Sequence, residues 1–583
     1  MRSPRAWWVV AVAAALVVAI PSIGCGFFCD DYTLIQITAG KLPAFPHTLD
    51  LYRFTDGTPA TVHAIIDRGP FPWWTAPTMK LAFFRPLAGL LIHADQALFG
   101  TAPLGYHLHS VAWYIALCVV AALLYRRLLG RGAALLAIAL YALNDSHTMA
   151  LAWIANRHAS LSGLFGILGL WAHVRAREER WRAGWALSIA AFTVALFAGE
   201  TTLGALAYVV AYELVGRRRE DALGRRLLAL APATAILLGF VVIYKLVGYG
   251  TAASGSYLDP FAQPGAFLKV APVRALVLAG SFLFGPNADL TASRPEVVTL
   301  LAVIGAVTLV GVVLLARRAV RALPAEETRH VGWLGAGAIL SVVPSLGGFP
   351  GSRLLFMPSL GGVAVVAIIV VHAWRARRAS RAWAWRIAVP LLILVEVVRP
   401  AGIAVGSTMM FGKLYRDGER IARESELPPS SARVVVLAAS DLMASLYVDL
   451  IRTGTQGATR HDAWWVLSMA AHPHRARRAG PSTVELEIAD GGTMLEGPYE
   501  VLCREPRAHP FAAGDVVKLD GMSVRIVDVR DGRPTRIAAT FDRPLDDPSL
   551  WFVVYREGKL RRVTLPADGA PLEIAWERGP LEP

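Results

Sequence analysis

The chain has 583 residues, with 58 Lys and Arg against 44 Asp and Glu for a net charge of +14, yet only 17% of its residues are charged and 55% are hydrophobic. Soluble domains carry about 25% charged residues, so a mean hydropathy of +0.46 excludes an ordinary soluble enzyme, a disordered chain and a domain whose basicity serves nucleic acid. Four cysteines exclude a disulfide-built scaffold, and no CxxC pair marks a structural zinc site.

In chain order, the first apolar run spans Trp7 to Ile23, follows only Arg2 and Arg5, and precedes no small-x-small cleavage site. It predicts an uncleaved first membrane helix. Further runs centre on His107 to Leu124, Gly132 to Leu143, Leu161 to Val174, Ala183 to Ala198, Thr201 to Val215, Leu227 to Val247, Val297 to Ala316, Gly332 to Leu346, Leu354 to Trp374 and Ile387 to Val405. They predict about 11 transmembrane helices. The stretch Ala266 to Phe284 holds Lys269, Pro272 and Arg274 and reads as an interfacial or re-entrant helix.

Arginines gather in alternate connections, around Arg126, Arg177, Arg218, Arg318 and Arg377. Lys and Arg accumulate in short cytoplasmic loops, so these loops and the N-terminus are expected in the cytoplasm and the C-terminus outside. The surplus charge is then largely a topology signal. The organisation expected is a multi-helix membrane domain over residues 1–412, with a long first outside loop at 25–106, followed by a soluble extracytoplasmic domain over 413–583. Alternating apolar residues in Arg433 to Ala438, Val516 to Val529, Arg536 to Phe541 and Trp551 to Tyr555, punctuated by Asp-Gly pairs at 490, 520, 531 and 568, predict that this domain is mostly β, opens with a small α/β unit, and folds by itself. The fold class is therefore a polytopic α-helical membrane protein of the cytoplasmic membrane with a C-terminal, mostly β, extracytoplasmic domain.

Asp30 and Asp31 directly follow the first span. A carboxylate at a membrane boundary costs solvation energy unless it has a partner or a task. The pair is either a charged helix stop or a general base or metal ligand poised between a lipid-borne and a water-borne group. Arg353 lies in a short outside loop, where the positive-inside bias makes an arginine less expected; it is a snorkelling anchor or a bidentate phosphate ligand. Arg85 and Arg157 are further candidates for a phosphate or sugar, each equally readable as an anchor. Glu200, between two apolar spans, is a site candidate or a water-exposed turn carboxylate. His107, His109 and His147 sit at outside helix ends, as interfacial residues or as ligands of a divalent ion with Glu200 or the aspartates. Cys25 and Cys29 read as unpaired thiols, Asp441 as a turn residue, and His472 to Arg478 as a solvated basic loop.

The acidic pair after the first span, Phe84-Arg85-Pro86-Leu87, Tyr106-His107-Leu108-His109, the stretch His147 to Leu161, and Arg353-Leu354-Leu355-Phe356-Met357-Pro358-Ser359-Leu360-Gly361 together resemble the C-type glycosyltransferase superfamily. The likeness is strongest to polytopic mannosyltransferases such as the protein O-mannosyltransferases and those bearing tetratricopeptide repeats, and covers roughly residues 1–400. The resemblance implies a polyprenyl-phosphate sugar donor, a mannose-like hexose, and an acceptor that is a protein, lipid or glycan. It implies Asp30 as the catalytic general base with Asp31 beside it, and supports Arg353 and His147 as site residues. The family's lysine before Glu200 is Gly199 here, so a role for that lysine has no support. A divalent cation is the one cofactor to consider. The competing readings are a transporter of a lipid-linked substrate and an inactive scaffold that presents the C-terminal domain.

Overall fold

The computed structural model describes residues 5–45, 49–68, 70–283, 287–349, 351–379, 390–391 and 393–582. Helix α1 (Arg5–Ala19) leads through a short 3-10 turn into a long first loop built from α2 (Asp30–Thr38), β1 (Arg53–Asp56), α3 (Pro59–Arg68), β2 (Lys80–Ala82) and α4 (Pro86–Phe99). There follow α5 (Pro103–Leu128), α6 (Arg131–Ala142), α7 (His158–Glu179), α8 (Arg182–Ala198), α9 (Thr202–Ala211), α10 (Leu223–Leu246), β3 (Gly250–Ala252), α11 (Pro264–Leu283), α12 (Val298–Ala322), α13 (Val331–Val342), α14 (Pro358–Ala379) and α15 (Arg399–Glu424). Among the described residues eight helices are long and apolar enough to cross a membrane, α11 among them, with shorter apolar helices at Arg131–Ala142, Arg182–Ala198 and Thr202–Gly216. The start of the last expected span, 387–389, lies outside the described residues, as do Arg2, Arg381 and Arg386. Along α12 the residues Val303, Val307, Val310 and Leu314 form an exposed apolar stripe at helical spacing, a face suited to lipid.

The connections fall on two faces. On one, Arg127 pairs with Glu178 at 2.9 Å, Arg177 with Glu213 at 2.7 Å and Arg375 with Glu327 at 2.9 Å, so the arginine-rich loops meet one another. On the other, β1, β2 and β3 form an antiparallel sheet that ties the first loop to the connection after α10. Helix α11 has the length of a span, but its two flanks bond to the same connection. Leu258 N–H donates to Gly347 O at 2.8 Å before it, and the Asp289 carboxylate accepts the Ser352 hydroxyl at 2.7 Å after it. Helix α11 packs so tightly on α12 that a Cβ at Gly305 would lie 1.8 Å from Leu276 O.

The C-terminal region contains β4 (Arg433–Ala438), α16 (Tyr447–Gly454), β5 (Ala463–Val466), β6 (His474–Gly480), β7 (Thr483–Ile488), α17 (Pro498–Cys503), β8 (Val516–Leu519), β9 (Met522–Arg530), β10 (Arg533–Phe541), β11 (Leu550–Arg556), β12 (Lys559–Arg562) and β13 (Leu572–Ile574). β4–α16–β5 is a parallel unit within a sheet of order β12-β11-β4-β5, and the remaining strands make an antiparallel sheet of order β13-β6-β7-β10-β9-β8. Asp531 (φ 51) and Gly532 (φ 74) turn β9 into β10, the positive-φ pair that a tight hairpin needs.

Three expectations change. The boundary after residue 412 falls inside α15, which runs on to Glu424. The basic residues His472 to Arg478 lie mostly in strand β6, where His474 and Ala476 point inward and Arg477 pairs with Glu485. The C-terminal domain also shares its core with the first loop. One core holds Phe27, Leu51, Ile65 and Trp74 of the first loop together with Val434, Leu450, Val524 and Phe552, and Trp73 Nε1 donates to Leu467 O at 3.0 Å.

Candidate functional site

The site begins with a strained entry. Gly26 takes φ +72 with its α-carbon against the Tyr415 ring, and Cys29 takes φ 42 immediately before α2. A non-glycine residue held at such a φ costs about 1–3 kcal/mol and persists only where its surroundings over-determine it. The turn sends the two adjacent aspartates different ways. Asp31 is buried and its oxygens are taken by backbone, Oδ2 accepting Phe28 N–H at 2.9 Å and Oδ1 accepting Ala155 N–H at 2.7 Å. Asp30 stays half-buried, and Oδ1 accepts the Tyr447 hydroxyl at 3.1 Å. Among the described residues Oδ2 of Asp30 has no hydrogen-bond partner. Burial raises the Asp30 pKa above the usual carboxylate range, opposed by the Tyr447 bond and by the charges of Arg353 and Arg85.

Arg85 Nε donates to Glu200 Oε2 at 2.9 Å, with its guanidinium over the rings of Phe83 and Tyr52 at 4.5 and 5.0 Å. Glu200 Oε1 is buried with no partner. Arg353 sits in a 3-10 turn, Ser352–Leu355, anchored through Ser352 to Asp289. It is half-buried, and among the described residues its guanidinium makes no hydrogen bond or ion pair, although its charge reaches Asp30. The structure thus brings Asp30, Arg85, Glu200 and Arg353 to one place at the end of the helix bundle.

Two candidates are not brought there as free groups. Arg157 is buried and committed, bonding to Asp95, to Ser110 Oγ at 2.9 Å and to Tyr106 O at 3.1 Å. His147 is fully buried between Tyr114 OH at 3.1 Å and Ser359 Oγ at 3.2 Å. Burial pushes its pKa down to about 3, so its ring is neutral. Arg157 steadies the start of α7, and His147 steadies the segment after Arg353. His107 Nε2 bonds Gly26 O at 2.7 Å and His109 Nδ1 bonds Asp95 at 2.6 Å, both as supports. Cys25 and Cys29 are free and buried, and Asp441 accepts Ala444 N–H and Leu581 N–H as a turn residue.

Sequence reasoning passed over two residues. His158 is buried with Nδ1 unpartnered, and a Cβ at Gly199 would lie 2.8 Å from that atom; its place beside Arg157 at the head of α7 was the available signal. Tyr447 reaches Asp30 from 417 residues away, and no local pattern announces it. Among the described residues no group of three or more His, Cys, Asp or Glu could hold a metal ion. Both Asp31 oxygens are on backbone amides and Glu200 Oε2 is paired to Arg85, while among the described residues Asp30 Oδ2 and Glu200 Oε1 have no partner.

No family model matches the chain, and no curated protein matches it. Among solved structures, it is similar to the Archaeoglobus fulgidus oligosaccharyltransferase tethered to an acceptor peptide, with 12% identity and a TM-score of 0.42 over 79% of this chain; it spans 64% of that protein's length. AglB of the same organism, in complex with an inhibitory peptide and a dolichol-phosphate, aligns at 11% identity and a TM-score of 0.42 over 76% of this chain and 63% of that one. ArnT from Cupriavidus metallidurans, bound to undecaprenyl phosphate, aligns at 16% identity and a TM-score of 0.36 over 92% of this chain and 98% of that one.

Proposed function

We propose that the protein is a membrane glycosyltransferase of the C-type superfamily, moving a mannose-like hexose from a polyprenyl-phosphate carrier to a protein, lipid or glycan acceptor on the outer side of the cytoplasmic membrane. The observation that carries this reading is the half-buried Arg353 guanidinium, without a partner among the described residues, within electrostatic reach of the Asp30 carboxylate. Sugar transfer from a phosphate needs these two functions and little more, a base for the acceptor hydroxyl and a cation for the departing phosphate. Asp30 takes the hydroxyl proton as the acceptor oxygen bonds to the anomeric carbon, and the bond from that carbon to the carrier oxygen breaks with its electron pair on the phosphate. Arg353 receives the phosphate with its planar fork. Arg85 adds less, because Glu200 already neutralises it. Asp31 acts through backbone, clamping the start of α2 to Ala155. The sequence resemblance supports the same assignment of Asp30 and Arg353. A transporter of a lipid-linked substrate is the weaker reading, because the candidate site residues Asp30, Arg85, Glu200 and Arg353 gather at one end of the bundle rather than along a mid-membrane path.

The test is to incubate the purified full chain with a panel of undecaprenyl- and dolichyl-phosphate sugars and to measure released polyprenyl phosphate by mass spectrometry. Release with one donor, abolished in Asp30→Asn, is the expected result. No release with any donor, together with carrier flipping in vesicles, would favour the transporter. Thiol labelling of single cysteines introduced at Lys41 and at Arg377 tests the orientation, with only Lys41→Cys expected to react from outside.

A further inference from the structure

The hydrogen bond on Asp30 comes from the C-terminal domain. Helix α16 is docked against α2 by side-chain bonds that set its register: Gln36 Nε2 donates to Leu450 O at 2.6 Å, and Thr453 Oγ1 donates to Gln36 Oε1 at 3.1 Å. This register puts the first residue of α16, the buried Tyr447, with its hydroxyl donating to Asp30 Oδ1 at 3.1 Å. A carboxylate with no directional bond turns freely about its last torsion. With Oδ1 fixed, the orientation of the group is fixed, and among the described residues Oδ2 remains open.

We propose that Tyr447 is a positioning residue for the general base: its hydroxyl holds Asp30 Oδ1 and leaves Oδ2 to take the acceptor proton, so that the C-terminal domain completes the site. This rests on the reading of Asp30 as the base. The other charged and titratable groups facing Asp30 are Arg353 from the turn before α14, Arg85 from the turn before α4, Tyr52 from the first loop, and Cys29 and Asp31 from its own segment. The two arginines favour the ionised carboxylate, and Asp31 opposes it. Among the described residues Tyr447 is the group whose hydrogen bond reaches an Asp30 oxygen, so it sets direction as well as charge preference.

The test uses the full chain in lipid nanodiscs and pH-difference infrared spectroscopy, which needs no substrate. The protonated-carboxyl band that disappears in Asp30→Asn is assigned to Asp30. Tyr447→Phe keeps the buried ring and removes only the hydroxyl, so the fold is retained. Losing a donor to the charged form raises the Asp30 pKa, and the midpoint of that band should move up by about one pH unit. In the donor assay the acid limb of turnover should move up by the same amount, with KM for the donor unchanged. An unchanged midpoint overturns the inference and leaves Asp30 as the base. Normal turnover in Asp30→Asn would instead overturn the base reading, whatever the infrared midpoint does.

Discussion

Replacing Arg353 by Ala separates phosphate binding from the rest of the chemistry. The guanidinium is half-buried and shares its charge with no bonded carboxylate among the described residues, so a phosphate placed on it gains a charge-assisted contact at little internal cost. Such a contact contributes about 1.5–3 kcal/mol, which corresponds to about 10- to 150-fold in affinity. Undecaprenyl phosphate titrated into the full-length protein, with binding followed by intrinsic tryptophan fluorescence, reads this without any sugar. Arg353→Lys keeps the charge but loses the fork, and should fall between wild type and Arg353→Ala. Arg85→Ala provides the contrast. Its charge is already met by Glu200 at 2.9 Å, so carrier affinity should fall less. The larger effect should be on thermal stability, because Glu200 loses its partner while its Oε1 is already buried without one. If Arg353→Ala binds the carrier within about twofold of wild type, a difference of under about 0.5 kcal/mol, while Arg85→Ala binds it poorly, the assignment of the phosphate seat is wrong.

Asp30→Asn should leave carrier affinity intact and lower turnover by about two to four powers of ten, the range of general-base catalysis. The base works only when ionised, and burial raises its folded-state pKa above 3.8; wild-type activity should therefore fall, as pH drops, through that raised value and at higher pH than an ordinary aspartate would give. Asp31→Asn offers one amide oxygen to two backbone N–H groups, now met at 2.9 and 2.7 Å, and should destabilise the protein by about 1–3 kcal/mol, seen as a lower thermal midpoint. An isolated fragment beginning at Arg433 should show strand signal by circular dichroism but unfold non-cooperatively, because its core is shared with Phe27, Ile65 and Trp74; a sharp, reversible transition would contradict the shared core.

Much of this protein is written in local pattern. A membrane helix needs a long apolar run whatever else surrounds it, so the membrane character and the segregation of arginine-rich connections were readable along the chain, but the number of spans was not: about 11 were expected, and eight helices among the described residues are long and apolar enough. Lys269, Pro272 and Arg274 set α11 apart in the sequence, yet it has the length and apolarity of a span; β4 was readable as Arg433 to Ala438 because its apolar run is flanked by polar turns. Asp30, Asp31 and Arg353 stood out because ionised groups at a membrane boundary are expensive. Tertiary structure decided what such groups do, since a carboxylate or guanidinium has no role until its hydrogen-bond partners are known. The same residue types ended in opposite positions: Asp31 spent on two backbone amides and Arg157 on Asp95, while among the described residues Asp30 keeps an open oxygen and Arg353 an unpaired guanidinium. It also joined residues hundreds of positions apart, Tyr447 to Asp30 and the C-terminal sheets to the first loop. Alternation along a strand shows that one face is buried, but not which distant segment covers it.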